Sequence, residues 1–290
     1  MLMLRVAVPN KGSLHGPTIQ LLDEAGYRLH REHRALFAED RANNVRFIFW
    51  RASDIARNVG AGILDVGITG QDLLAGAGTA AHTTELLPLG FGGSEFYFAA
   101  ASGGPIRSVR DLDGRRVATS FPLLVERAAR EHDIEIRTVE LDGAVETAVE
   151  LGLADAIADV VETGSSLRAA GLETLGEPIM RSQAVLVRGA DSPLSPEREQ
   201  AVRVLLQRLQ GVLDARSYVV MDYNCPQSAL ETATAITPGK ESPTVSSLTE
   251  PGWVAVRSMV PRDDVQSVMD RLAEVGATEI LVTRLEACRL

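Results

Sequence analysis

Between residues 4 and 185 short apolar runs alternate with helical segments, and no other feature constrains the fold as much. Residues 4–8, 45–50, 65–68, 116–119, 136–140 and 154–161 read as strands. Helices are predicted near 18–25, from a cap at Ser53 or Asp54 to Val59, over 125–131 and over 144–151, with a short one stopping at Gly171. Strands that alternate with helices favour parallel sheets in an α/β fold. A chain of 290 residues suits two or three packed domains better than one core.

A weak internal repeat points the same way. Asp65 stands in GILDVGI and Asp155 in GLADAIA, 90 positions apart, with Gly62 and Gly152 at the same offset. Residues 46–59 overlay 136–149 without a gap. The repeat implies two lobes of like architecture with a cleft between them, where small ligands commonly bind.

Composition shifts over residues 188–200, a surface turn leading into a helix at 196–216. Beyond it the order changes. Strands at 218–222, 244–248, 253–260 and 279–283 are interleaved with helices at 227–234 and 263–275, the latter closed by Gly276. That β-α-β-β-α-β order is the ferredoxin-like split unit, here a regulatory or assembly module.

The formal net charge of −10 argues against a nucleic-acid surface, though not against a local anion site. Cys225 and Cys288 lack metal or redox spacing, and the five histidines lack ligand spacing. No GxSxG, HExxH or Walker pattern occurs, so no catalytic side chain is assigned. The opening MLMLRVAVPNKGSL has no signal-peptide pattern and no run approaches ~20 apolar residues, so the cytoplasm is the expected compartment.

The most informative segment is 142–167. Its strand ends in Glu162-Thr163-Gly164-Ser165-Ser166, before a helix containing Leu167. Gly164 permits a tight turn whose amides converge at a helix start, which suits a phosphomonoester. Asp155 and Asp159 share a strand face. Asp159, nearer the loop, can accept from ribose hydroxyls or bind magnesium through water. An ordinary turn capped by Ser165 or Ser166 explains the same string equally well. GITGQD offers a second cradle at Thr69 and Gly70, with Asp72 as ligand contact or helix cap. VATSFP offers Ser120, again a phosphate donor or a cap. Lys11 beside Gly12, and Arg51 after FIFW, are cations that reach a pyrophosphate or simply face solvent.

Taken together, VAVPNKGSL, LDVGITGQD, RVATSFP and LADAIADVVETGSSL resemble the ATP phosphoribosyltransferase family along the whole chain. MDYNCPQSALETATAITPGKESPTVSSL, followed by WVAVRSMVP, resembles its long, histidine-regulated form. The resemblance implies a two-lobed periplasmic-binding-protein-like catalytic region with a ferredoxin-like, ACT-like C-terminal domain. It implies lobe I over 1–94 and 185–211, lobe II over 95–184, and a regulatory domain over 212–290. The substrates implied are ATP and phosphoribosyl pyrophosphate, with Mg2+ as cofactor, histidine as inhibitor, and homo-oligomers from dimer to hexamer. Residues 162–167, with Asp155 and Asp159, would hold phosphoribosyl pyrophosphate. Lys11, Gly12, Arg51, Thr69, Gly70, Asp72 and Ser120 would line the ATP and pyrophosphate cleft. Asp222, Thr234 and Thr237 would bind histidine. Many members carry arginine where this chain has Ser13, which leaves a pyrophosphate cation either missing or supplied elsewhere, by Lys11 or Arg51.

Overall fold

Leu4, Val6, Ala7 and Val8 are all buried, as a strand covered on both faces requires. They belong to β1 (Leu4–Pro9), at the centre of the first sheet. The computed structural model describes residues 3–29, 35–161, 164–191 and 193–290. The chain divides into two compact units, one of Met1–Gln20 with Arg28–Arg203, the other of Leu21–Tyr27 with Val204–Leu290.

Along the chain β1 leads to α1 (His15–Glu24), then β2 (Phe37–Asp40), β3 (Val45–Trp50), α2 (Ala52–Gly60), β4 (Val66–Gly70), α3 (Gln71–Gly76) and β5 (Thr83–Pro88). A second sheet follows, from β6 (Ser94–Ala101), β7 (Arg116–Thr119), α4 (Pro122–Glu131), β8 (Arg137–Glu140), β9 (Ala156–Val161), α5 (Ser165–Ala169) and β10 (Leu172–Ser182). The chain then returns to the first sheet as β11 (Ala184–Gly189) and enters α6 (Pro196–Ser217).

The strand orders are β2-β3-β1-β4-β11-β5 and β8-β7-β9-β6-β10. Apart from β2 they match one to one. In each sheet a central strand has parallel neighbours on both sides (β1 with β3 and β4, β7 with β8 and β9), and two antiparallel strands follow. One antiparallel strand in each sheet, β11 or β6, arrives directly from the other sheet. The internal repeat is therefore a repeat of topology. Its predicted second helix at 144–151 is not formed. Gly143 and Ala144 are left-handed, at φ 94° and 50°, and only a 3-10 turn at Val145–Thr147 follows. The Thr147 hydroxyl donates to the Ala144 carbonyl and closes it.

The caps also differ from expectation. Arg51, not Ser53 or Asp54, caps α2, and the Asp54 carboxylate instead accepts from Arg57 one turn on. Gly70 caps α3 and Gly164 caps α5, neither with a side-chain bond.

The second unit carries β12 (Tyr218–Pro226), α7 (Leu230–Ile236), β13 (Thr244–Ser247), β14 (Trp253–Pro261), α8 (Val265–Glu274) and β15 (Thr278–Arg284). The antiparallel order β13-β14-β12-β15 is the ferredoxin-like sheet. Val219, Met221, Tyr223 and Cys225 alternate inward along β12 and pack with Ala233, Val268 and Leu272 of the two helices. Asp222 and Asn224 stand on the opposite face. The chain end lies so close to α6 that a Cβ on Gly211 would fall 2.3 Å from the Cys288 carbonyl oxygen, so only glycine fits there. No helix among the described residues is long and apolar enough to cross a membrane.

Candidate active site

In open parallel sheets, ligands bind beyond the carboxyl ends of the strands. Lys11 and Gly12 follow β1, Thr69 and Gly70 end β4, Ser120 follows β7, and Gly164 to Ser166 follow β9. One cavity of about 160 Å3 brings some of these together, lined by Lys11, Gly12, Gly70, Asp72, Ser94 and Val160 among others. It draws on both sheets of the first unit. Ser13 lines it as well, and Ala52, next to Arg51, forms part of its wall. Arg51, Thr69 and Ser120 do not line it. The volume falls below the ~300–1,000 Å3 of most small-molecule sites, so this shape suits a small anion rather than a whole nucleotide.

The second cradle, at GITGQD, is already filled from within. The Gln71 amide donates to the Gln183 carbonyl at 3.1 Å, and the Asp72 amide donates to Ser182 Oγ at 3.0 Å. Ser182 Oγ in turn donates to Asp72 Oδ1 at 2.7 Å. The Thr69 hydroxyl donates to the Ala52 carbonyl and is fully buried. These groups fix the start of α3 and occupy the amides of Gln71 and Asp72. Gly70 has φ −88°, which any residue adopts, so its turn geometry does not demand glycine. Space does, because a Cβ would lie 2.2 Å from Asp72 Oδ1. Ser120 is similarly engaged, its hydroxyl donating to the Leu141 carbonyl at 2.6 Å.

After β9, Gly164 is left-handed at φ 69°, and Ser165 and Ser166 are exposed. Glu162 and Thr163 lie outside the described residues. The Leu167 side chain is buried in the core with Val145, Ala148 and Ile157, where it anchors the turn. Asp159 is half-buried on β9, its Oδ1 accepting from the Val160 amide at 2.8 Å. Burial pushes its carboxyl above the ordinary range, Glu146 adds to that, and the Val160 bond only partly offsets it.

Asp155 does not belong to this end of the sheet. It precedes β9, about 20 Å from the loop at ~3.3 Å per residue. There it accepts from both the amide and the guanidinium of Arg116, which begins β7. Even spacing put it on the face of Asp159, but not at the same strand end.

Asp222, Thr234 and Thr237 do not converge either. Asp222 lies on the open sheet face and accepts from Arg257 at 2.8 Å. Thr237 is buried on the helix side, 2.7 Å from the Tyr223 hydroxyl, and Thr234 donates back to the Leu230 carbonyl. The period-2 alternation of β12 separates Asp222 from the two threonines.

Two sheets of one topology, each contributing a strand end to a shared cavity, define a two-lobed periplasmic-binding-protein-like α/β fold. A family profile described as "ATP phosphoribosyltransferase" matches residues 51–211, and another, "HisG, C-terminal domain", matches 215–287. The chain belongs to the ATP phosphoribosyltransferase family, and is thus a pentosyltransferase. It is 54% identical to the ATP phosphoribosyltransferase of Streptomyces coelicolor over 288 residues, covering 99% of this chain and 100% of that one. It is 53% identical to that of Salinispora tropica over the same shares. Among solved structures it resembles a chain of the ATP phosphoribosyl transferase (HisG:HisZ) complex from Thermotoga maritima. There the TM-score is 0.62 and the identity 28%, over 73% of this chain and 99% of that one.

Proposed function

We propose that this chain joins N1 of ATP to C1 of 5-phosphoribosyl 1-pyrophosphate, giving N1-(5-phosphoribosyl)-ATP and pyrophosphate, the first step of histidine biosynthesis. The observation that supports it best is the cavity reached by both Lys11 after β1 and Val160, at the edge of the phosphate turn. Lobe I would comprise 1–94 and 185–211, and lobe II 95–184.

In the reaction, the adenine N1 lone pair forms the new bond to C1 as the C1–O bond breaks. The bonding pair leaves on pyrophosphate. N1 needs no deprotonation, so the reaction calls for no general base at that atom. The work is positioning and charge stabilisation around a transition state of oxocarbenium character. Lys11 takes the pyrophosphate as a point charge, the role left open by Ser13. The amides from Gly164 to Ser166, with Glu162 and Thr163, hold the 5′-phosphate, and Asp159 accepts from a ribose hydroxyl. No group of three metal-binding side chains is found among the described residues. Magnesium would be carried by the substrate phosphates, with a carboxylate such as Asp159 as a protein partner. When bound, magnesium supplies charge neutralisation of the leaving pyrophosphate.

Residues 212–290 serve as the regulatory domain, where Asp222 offers a carboxylate to the histidine ammonium. The enzyme acts in the cytoplasm as a homo-oligomer, from dimer to hexamer. An assay of pyrophosphate release from ATP and phosphoribosyl pyrophosphate, with and without histidine, tests the whole reading. No release would sink the reaction, and release indifferent to histidine would sink the regulation.

A further inference from the structure

Asp72 presents a difficulty for any anion in the Lys11 cavity. Its carboxylate is a wall residue of that cavity, yet a negative charge there repels a polyphosphate and attracts the lysine meant for it. The structure parks this carboxylate. Ser182 Oγ accepts from the Asp72 amide and donates to Asp72 Oδ1, at 3.0 and 2.7 Å, and Ser182 is itself only 7% exposed. Gly70 makes the room, because any Cβ there would collide with the parked oxygen. Ser182 is the last residue of β10 in the second sheet, while Asp72 stands in the first turn of α3, after β4 of the first. Next to Ser182, Gln183 is tied to Gln71 by both its carbonyl and its amide. The return crossover between the sheets thus grips the start of α3 at two successive residues.

We infer that Ser182 is a positioning residue for pyrophosphate binding. By holding the Asp72 carboxylate against Gly70, it keeps Lys11 available to the anion. The inference rests on the reading of this cavity as the pyrophosphate site. Without the Ser182 hydroxyl, Asp72 loses the group that fixes its rotamer and turns toward Lys11, closing the cavity with an internal ion pair.

The test is calorimetric titration of magnesium pyrophosphate into the full-length protein. Lys11→Met is expected to weaken binding at least tenfold. Ser182→Ala is expected to weaken it about tenfold, and Ser182→Thr, which keeps the hydroxyl, to restore most of it. The decisive variant is Ser182→Ala with Asp72→Asn. It should regain affinity to within about threefold of wild type while its Tm stays as low as that of Ser182→Ala, because the charge is gone but the lost hydrogen bonds are not. A merely structural serine would leave the double variant as weak as the single one, and that result overturns the inference, as does a Ser182→Ala protein that binds like wild type. Wild type that fails to bind, or a neutral Lys11→Met, overturns the cavity reading and the inference with it. Should Ser182→Ala not fold, Ser182→Cys, with its weaker donor, replaces it in both the single and the double variant.

Discussion

Asp155 accepts the backbone amide of Arg116 at 2.9 Å and its guanidinium at 2.9 Å, clamping the start of β7 to the start of β9. Asp65 makes the same pair of contacts to Arg5, at 2.8 and 2.6 Å, between β4 and β1. The two aspartates that marked the internal repeat are thus equivalent staples at the amino-terminal ends of the two sheets.

That role separates Asp155 from substrate. The Arg116 side chain and amide hold its carboxyl well below the usual range, at about 2 against an ordinary 3.8. A carboxyl depressed on folding stabilises the protein above its unfolded value and loses that contribution as pH falls through the folded one. Asp155→Asn should therefore cost about 1 kcal/mol at neutral pH, given the screening of a partly exposed pair. The gap should narrow between about pH 4 and 2, read by urea unfolding. KM for phosphoribosyl pyrophosphate should stay put, and a several-fold rise would return Asp155 to the binding site.

Asp159 has the opposite sign. Burial raises its folded value above 3.8, so its ionisation opposes folding. The folded state gains most at low pH, below the unfolded value, and that gain is lost as pH climbs through the raised folded value. Asp159→Asn should accordingly unfold at a higher temperature than wild type at pH 7, with the difference shrinking toward pH 4. Its affinity for phosphoribosyl pyrophosphate should drop about tenfold, the value of one charge-assisted hydrogen bond. Stabilisation without loss of affinity would show that the ribose does not use this carboxylate.

Gly164→Ala bears on the phosphate turn. A side chain at φ 69° costs about 1–2 kcal/mol, and its Cβ would lie 2.9 Å from the end of Arg168. Binding of phosphoribosyl pyrophosphate, followed by calorimetry, should fall at least tenfold while ATP affinity moves far less. Equal losses for both ligands would mean that the turn does not select the sugar phosphate.

In the second unit the proposed histidine residues should part company. Thr237→Val strands the buried Tyr223 hydroxyl and should cost about 1–3 kcal/mol without altering the histidine dose response. Asp222→Asn should leave stability nearly unchanged and weaken inhibition. Inhibition curves together with thermal melts distinguish them, and a Thr237 variant insensitive to histidine at full stability would contradict this division.

What could be read in advance followed the punctuation of the chain. β1, β3, β4, β7, β8 and β9 each pair in parallel with at least one neighbour, and most lead into a loop and helix, so glycine and cap residues mark their ends. The crossing strands were not legible. SEFYFAAA of β6 lacks a polar alternation, and β10, interrupted at Gly176 and Pro178, has no helix after it. Of the residues lining the cavity, Lys11, Gly12, Gly70 and Asp72 stand out in the sequence because strand-end loops announce themselves. Ser182 was not, because its partner stands 110 residues away and a lone serine before glutamine carries no local signal.

The itinerary of the chain also dictates an order of events at the ribosome. β11 pairs with β4 on one side and β5 on the other. Until residue 189 has emerged, both of those strands present bare edges to the cell, while the intervening second sheet can already close upon itself. The nascent protein should therefore acquire its inner lobe first, and a stall before β11 should yield a half-built outer sheet open to aggregation or chaperone capture.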